Sequence, residues 1–401
     1  MISTRVGVAD SATRSHISST SSTSAAVAGD DIPRQAYRYL QRDRLDARFA
    51  GLRAQGGPQV LGLWAAAGTG KTSVMAQWAR QLQAEGERVF WYSGATGSAD
   101  AELLRTQSGA PNAPNAPGAP GADAPAIETG SDRLTYVFVD DVHLISSPLT
   151  RTQISRVLHG ANTQLRLILA GRWEPFADPT LLRSSFDMTE LRADDLAFTS
   201  AEASELAALH ELSLSVEAID LLVARTGGWA TGLALAMPWL QEAAHPDRAV
   251  SQFDGDNRAV ADYLISEIVE NLSAADRDVL MASAVRPVVP LELAITLTGR
   301  SDAGVVLRRL SWRNTLITEE AGELAYRYHP ILLSFMQAEA WRRDSRLAEA
   351  GHECAAQWYA RRGDGANALE QAVLSRRTEL ISVMLQRFAV ELFAVGRSTM
   401  V

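Results

Sequence analysis

Lys71 is the sole lysine of a 401-residue chain in which lysine and arginine together number 38. It lies within AAAGTGKT, Ala65 to Thr72, which keeps the spacing G-x-x-x-x-G-K-[ST] with Ala65 at the position of the first glycine. Gly68 and Gly70 let successive backbone amides turn inward on phosphate oxygens, and a helix opening at the same point adds its positive N-terminal end. The Lys71 ammonium would reach the β- and γ-phosphates of ATP, or the β-phosphate of ADP, and the Thr72 hydroxyl would hold Mg2+. Arginine serves wherever this chain needs a generic cation, so position 71 demands a compact ammonium on a flexible stem. Ala65, Gly68, Thr69, Gly70, Lys71, Thr72 and Ser73 form the candidate nucleotide-binding set.

A second constellation is YVFVDDVH, Tyr136 to His143, in which four apolar residues deliver two carboxylates to a strand end. Asp140 there would bind Mg2+ directly or through water, and Asp141 would orient an attacking water. In LILAGR, Arg172 ends a further apolar run and would stand beside the γ-phosphate as a sensor. His329, in YRYHP, joins a hairpin pattern to a helix pattern. Taken alone, such a histidine is more often a packing or capping residue than a ligand.

The elements that must position these residues alternate. QVLGLW reads as a buried strand, TSVMAQWARQLQAEG as an amphipathic helix ending at Gly86, and RVFWYSG as a second strand, which is the βαβ unit of a parallel sheet. LTYVFVDD and LRLILAGR add two more strands around a helix expected in TRTQISRVLHGAN. From DMTELRADDLAFTSAEASELAALH onward the helical period dominates, and Thr199 with Glu202 spells a capping box. Helices followed by the alternating TLITEEAGELAYRYH and then PILLSFMQAEAWRR suggest a winged helix. The last stretch, from about Arg346, reads as paired helices with small residues at the crossings, as in helical-hairpin repeats.

These patterns predict an α/β P-loop NTPase domain over 36–190, interrupted by a flexible Pro/Ala-rich insertion at 106–132. A small helical domain (191–250), a winged-helix domain (251–344) and the start of TPR-like helical repeats (345–401) follow. Residues 1–35, rich in Ser, Thr and Ala, read as a disordered leader without the apolar core of a secretory signal. The apolar runs fall far short of the ~20 residues that span a bilayer, so no membrane role is expected and the cytoplasm is the expected location. A net charge of −9 argues against a broad nucleic-acid surface. One cysteine, Cys354, excludes an internal disulfide and reads as a buried structural thiol.

Taken in order, RDRLDARF, AAAGTGKTSVMAQW, FVDDVHLI, LILAGRWEP, LRADDLAFTSAEASEL, ARTGGWATGLALA, DYLISEIVENLSAADRDVL and YRYHPILLSFMQAE resemble the nucleotide-binding half of the MalT-like, LuxR-type large ATP-binding transcriptional regulators. The likeness runs from about residue 38 to 401. It implies a signal-transduction ATPase in which an ADP-bound closed state exchanges for ATP when an inducer binds the helical repeats, and the opened protein self-associates. It makes Lys71 and Thr72 the phosphate and Mg2+ contacts, Asp140 and Asp141 the Walker B pair, and Arg172 the strand-end sensor. It makes His329 the winged-helix histidine on the β-phosphate of ADP. TGGWATGL corresponds to the adenine-side motif, with Ala230 where related switches often have proline. The family's DNA-reading helix-turn-helix follows a long repeat array, so this chain is not expected to read DNA itself. A fast-turnover ATPase of the AAA type and a scaffold with a vestigial P-loop remain as alternatives.

Overall fold

The computed structural model describes residues 31–34, 39–54, 57–96, 134–145, 165–174, 188–313, 316–320 and 322–394. Most of the expected leader, the Pro/Ala-rich tract and the helix expected at 150–162 lie outside the described residues. A first helix, α1 (Asp43–Arg53), precedes β1 (Val60–Trp64), α2 (Lys71–Ala84), β2 (Arg88–Ser93), β3 (Thr135–Asp140), β4 (Leu165–Gly171) and β5 (Met188–Arg192). The five strands form one parallel sheet in the order β2-β3-β4-β1-β5.

Strands in a sheet covered on both faces read as continuous apolar runs, and β1 and β3 are buried at every residue. Their side chains alternate between faces as a two-residue period requires. Leu61, Leu63 and Phe138 pack with Phe49 of α1 and Trp78 of α2, whose rings stack 4.6 Å apart. Val60, Trp64, Val137 and Val139 face the other way. Chain order leaves β1 in two directions, toward β2 on one side and β5 on the other, so the carboxyl end of β1 is the switch point where open α/β sheets bind ligands.

β5 corrects the expectation that the helical period takes over at Met188. MTELR pairs with β1 from Val60↔Met188 to Trp64↔Arg192. Only Leu191 is fully buried within it, so the segment carries no apolar run to announce a strand, and its conformation comes from the exposed edge of β1.

Past a helical turn at Ala193–Leu196 come α3 (Ser200–Leu209), α4 (Val216–Thr226) and α5 (Ala230–Gln241). The expected capping box closes α3: Thr199 Oγ1 accepts from the Glu202 amide and Glu202 accepts from the Thr199 amide. α6 (Arg258–Leu264) runs on into a π-helical turn at Ile265–Val269. Then α7 (Ala274–Ser283), β6 (Val288–Pro290), α8 (Leu291–Thr298), α9 (Ala303–Trp312), β7 (Ile317–Glu319), β8 (Ala325–Tyr328) and α10 (Pro330–Arg343) build a winged helix around a small antiparallel sheet, β6-β8-β7. The hairpin β7–β8 was legible as alternation; β6, three residues bounded by prolines, was not.

Paired helices α11 (Ser345–Arg361), α12 (Gly365–Leu374) and α13 (Thr378–Ala394) complete the chain. α12 crosses α13 closely at Gly365, where an added Cβ would meet the Phe388 ring at 2.6 Å. Cys354 on α11 is half-buried rather than buried, and burial raises its thiol pKa. Among the described residues no helix is long and apolar enough to cross a membrane.

Arg42, at the foot of α1, ties the sheet domain to the helices. It is 3% exposed; Nη1 donates to the Leu196 carbonyl and Nη2 to the Ala197 carbonyl, both at 2.8 Å. It also pairs with Glu202 at 2.9 Å and stacks on Phe198. Arg42→Ala leaves these carbonyls and Glu202 without their partner and is expected to lower unfolding free energy by about 3 kcal/mol. Urea denaturation followed by tryptophan fluorescence reads it. Arg42→Lys recovers only part, since an ammonium cannot span the same fork.

Candidate functional site

Between β1 and α2 the chain turns through Ala65 to Gly70, with Gly68 at φ +74 and Gly70 at φ +87. Left-handed backbone of this kind strains any residue with a Cβ. The loop is gripped from outside the sheet domain. Trp229 Nε1 donates to the Ala67 carbonyl at 3.0 Å, while the amide and hydroxyl of Thr231 donate to the Gly68 carbonyl at 2.9 and 3.0 Å. A trans peptide sets its N–H opposite its C=O. The amides of Gly68 and Thr69 are therefore turned away from Trp229 and Thr231, toward the loop's hollow. Those of Lys71, Thr72 and Ser73 open α2 and have no intrahelical acceptor.

Lys71 is 7% exposed, and its ammonium donates to the carbonyls of Ala65 (2.8 Å) and Ala66 (2.7 Å). Burial lowers its pKa to about 8; Asp140 and Asp141 oppose that shift and Arg172 adds to it. The Thr72 hydroxyl donates to Asp140 Oδ2 at 2.6 Å, and the Asp141 amide donates to Asp140 Oδ1 at 2.8 Å. Asp140 is buried at the end of β3, and desolvation raises its pKa against the pull of Thr72, the Asp141 amide and Lys71. Asp141 takes a left-handed conformation, φ +50, that swings the chain off the strand, and its carboxyl is raised by burial and then by Asp140.

β4 lies between β3 and β1, so Arg172 emerges between the acidic pair and the glycine loop. Its guanidinium pairs with Glu267, on the π turn that continues α6. Its backbone amide donates to His143 Nδ1 at 3.3 Å. The His143 ring meets Trp173 edge-on, and burial together with Arg172 and Lys71 lowers its pKa to about 4.

His329 caps α10 at the rim of a cavity of about 170 Å³. The cavity is bounded by Ala66 and Thr69 of the loop, by the Gly227–Ala230 corner and by Leu316. Consecutive left-handed glycines, Gly227 and Gly228, turn that corner, and a Cβ at Gly227 would lie 2.7 Å from His329 Nε2. The ring stands edge-on to Trp229 at 6.1 Å, and its Nδ1 is buried without a hydrogen-bond partner. Burial lowers the pKa of His329 to about 4.

The match to a known family falls on the region that supplies His329 and Glu267. Residues 265–348 match the MalT winged helix domain. Over 268 residues, 65% of its length, the chain is 26% identical to the HTH-type transcriptional regulators MalT of two Klebsiella pneumoniae strains. That aligned stretch spans 29% of those relatives. Among solved structures, it is similar to a Walker-type ATPase of Pyrococcus abyssi, with a TM-score of 0.49 and 14% identity over 74% of this chain and 95% of that one. It is also similar to AMPPCP-bound DnaA of Aquifex aeolicus, with a TM-score of 0.39 and 14% identity over 79% and 95%.

Several residues at the site were not singled out from sequence. Trp229 and Thr231 sit in the TGGWATGL motif, but nothing in the motif says that they hold loop carbonyls more than 160 residues away. Tyr263 packs edge-on to Trp229, and Glu267 reaches Arg172 from the segment that matches the MalT winged helix domain. His143 was within the acidic motif without an assigned part. α5 itself was hidden by Gly232 and Pro238 inside it.

The depressed histidines make a pH prediction. With folded values near 4 against an ordinary 6.5, His143 and His329 bind fewer protons folded than unfolded between those limits. Their contribution is whole above 6.5 and is lost as pH falls toward 4. The melting temperature of nucleotide-free protein should therefore fall over this window, and His329→Gln should flatten the fall; a parallel profile in the variant would contradict the burial of a neutral ring.

Proposed function

We propose that this chain is the nucleotide-gated switch of a MalT-like transcriptional regulator. It binds ADP and ATP with Mg2+, hydrolyses ATP slowly, and uses the difference between the two nucleotides to reposition its winged helix. The observation that carries this reading is His329: it lies in the segment that matches the MalT winged helix domain, lines a cavity together with the loop residues Ala66 and Thr69, and carries a buried Nδ1 without a hydrogen-bond partner. An orphaned buried donor or acceptor is costly, and a phosphate oxygen would satisfy it.

The residues present fit a magnesium polyphosphate. Inward amides of Gly68, Thr69, Gly70, Lys71, Thr72 and Ser73, after the opening Ala65, would cradle it, and Lys71 would exchange its loop carbonyls for phosphate oxygens. Thr72 and Asp140, already hydrogen-bonded to one another, would share the Mg2+ shell with phosphate and water. Among the described residues no cluster of His, Cys, Asp and Glu suited to holding a metal ion occurs, in keeping with a cation held mainly by its nucleotide. Asp141 would orient water and Arg172 would read the terminal phosphate. At about 170 Å³ the cavity is below the roughly 300 Å³ at which ligand pockets begin, so the helical and winged-helix walls must part to admit a base and ribose. That movement is the proposed gate.

Function of the wider protein follows the same reading: an inducer or partner protein acts through the helical repeats, opening exposes a self-association surface, and the setting is cytoplasmic. Lys71→Ala should abolish Mg·ATP and Mg·ADP binding in calorimetry with circular dichroism unchanged. His329→Ala should weaken ADP by about 10-fold, the worth of one hydrogen bond to a charged group, and ATP by less. Turnover well under the 1 to 100 per second usual for kinases separates a switch from a conventional ATPase.

A further inference from the structure

Arg172 is the cation best placed between the acidic pair and the glycine loop, and it is already engaged. Its Nη2 lies 2.5 Å from Glu267 Oε2, and its Nη1 donates to the Glu267 backbone carbonyl at 3.4 Å. Glu267 is delivered by the π turn Ile265–Val269, a helical irregularity frequent at functional sites. One turn earlier on the same helix, Tyr263 packs against Trp229, and its hydroxyl lies 2.8 Å from where a Gly68 Cβ would sit. α6 and its π turn therefore contact the phosphate loop and the sensor arginine together.

The charges around Arg172 make the competition explicit. Asp140, Asp141 and Glu267 face Lys71 and Arg172, and Glu267 is close enough to Asp141 to oppose its ionisation. A terminal phosphate placed beside Arg172 would bring further negative charge next to the Glu267 carboxylate and would need the same guanidinium. A diphosphate makes no such demand.

Resting on the nucleotide-switch reading, we propose that Glu267 is the residue that sets nucleotide preference: it occupies Arg172 where a terminal phosphate would, so this conformation accepts ADP and disfavours ATP. ATP is bound only when Arg172 leaves Glu267, and that exchange releases the π turn and the winged helix that follows it. A ligand shifts a conformational equilibrium only through differential affinity, and Glu267 supplies that difference from the winged-helix side.

The test is calorimetry on the full chain with Mg·ATP and Mg·ADP, comparing the native protein with Glu267→Gln, which keeps shape and removes charge. ATP should tighten by about 10-fold, the scale of one charge-assisted hydrogen bond, with ADP within about two-fold of native, and Arg172→Lys should abolish the effect of the glutamine. Without nucleotide, Glu267→Gln and Arg172→Lys should lower the melting temperature non-additively, because they remove one interaction. Equal shifts for both nucleotides, an unchanged ratio, or additive melting shifts overturn the assignment while leaving nucleotide binding intact. Native protein that binds neither nucleotide overturns the switch reading, and this one with it.

Discussion

Two carbonyl oxygens of the glycine loop, those of Ala67 and Gly68, are tied down by residues of the helical region that follows the sheet, and the chemistry of the loop follows from that tie. Trp229 and Thr231 take the acceptors, and planarity of the peptide turns the corresponding donors the other way. A loop free to rotate these peptides would present a mixture of oxygen and hydrogen to any anion. Held as it is, it presents amides, with the start of α2 behind them. The conformation of the glycine loop thereby depends on Thr231 of α5 and on Trp229 just before it.

Electrostatics at the carboxyl end of the sheet is arranged as a near balance. Lys71 is buried and donates to its own loop's carbonyls, which keep the ammonium solvated where water is excluded. Asp140 is kept company by a hydroxyl and a backbone amide. The carboxylates and cations that face one another come from β3, β4, α2 and the π turn, so no single element holds the charge of the site. In a partly buried setting each of these charges acts on the next more strongly than in water.

The winged helix enters this balance at two points with different chemistry. His329 is a neutral ring lodged against Gly227, where the corner glycines leave room for it, and Glu267 is an anion lodged against Arg172. The first suits a group that accepts a hydrogen bond near the loop; the second opposes a group that adds negative charge near the strand end. Both lie in the segment that matches the MalT winged helix domain.

The amino-acid sequence by itself determined the strands β1 to β4, the glycine loop with its lysine, the acidic pair, the capping box at Thr199 and the hairpin of the winged helix. Each of these is written in residues a few positions apart: apolar runs, left-handed glycines, a carboxylate after a buried strand. Tertiary structure decided β5, whose polar residues become a strand because β1 has an unpaired edge, and β6, whose three residues pair with β8. It decided α5, where burial of Leu233, Met237 and Leu240 outweighs its glycine and proline. It also decided the partners of Ala67, Gly68 and Arg172, which lie about 95 to 165 residues away along the chain. Local spacing records which side chains can share a face. It does not record which carbonyl a distant tryptophan will find, because that is fixed only when the helical region packs against the sheet.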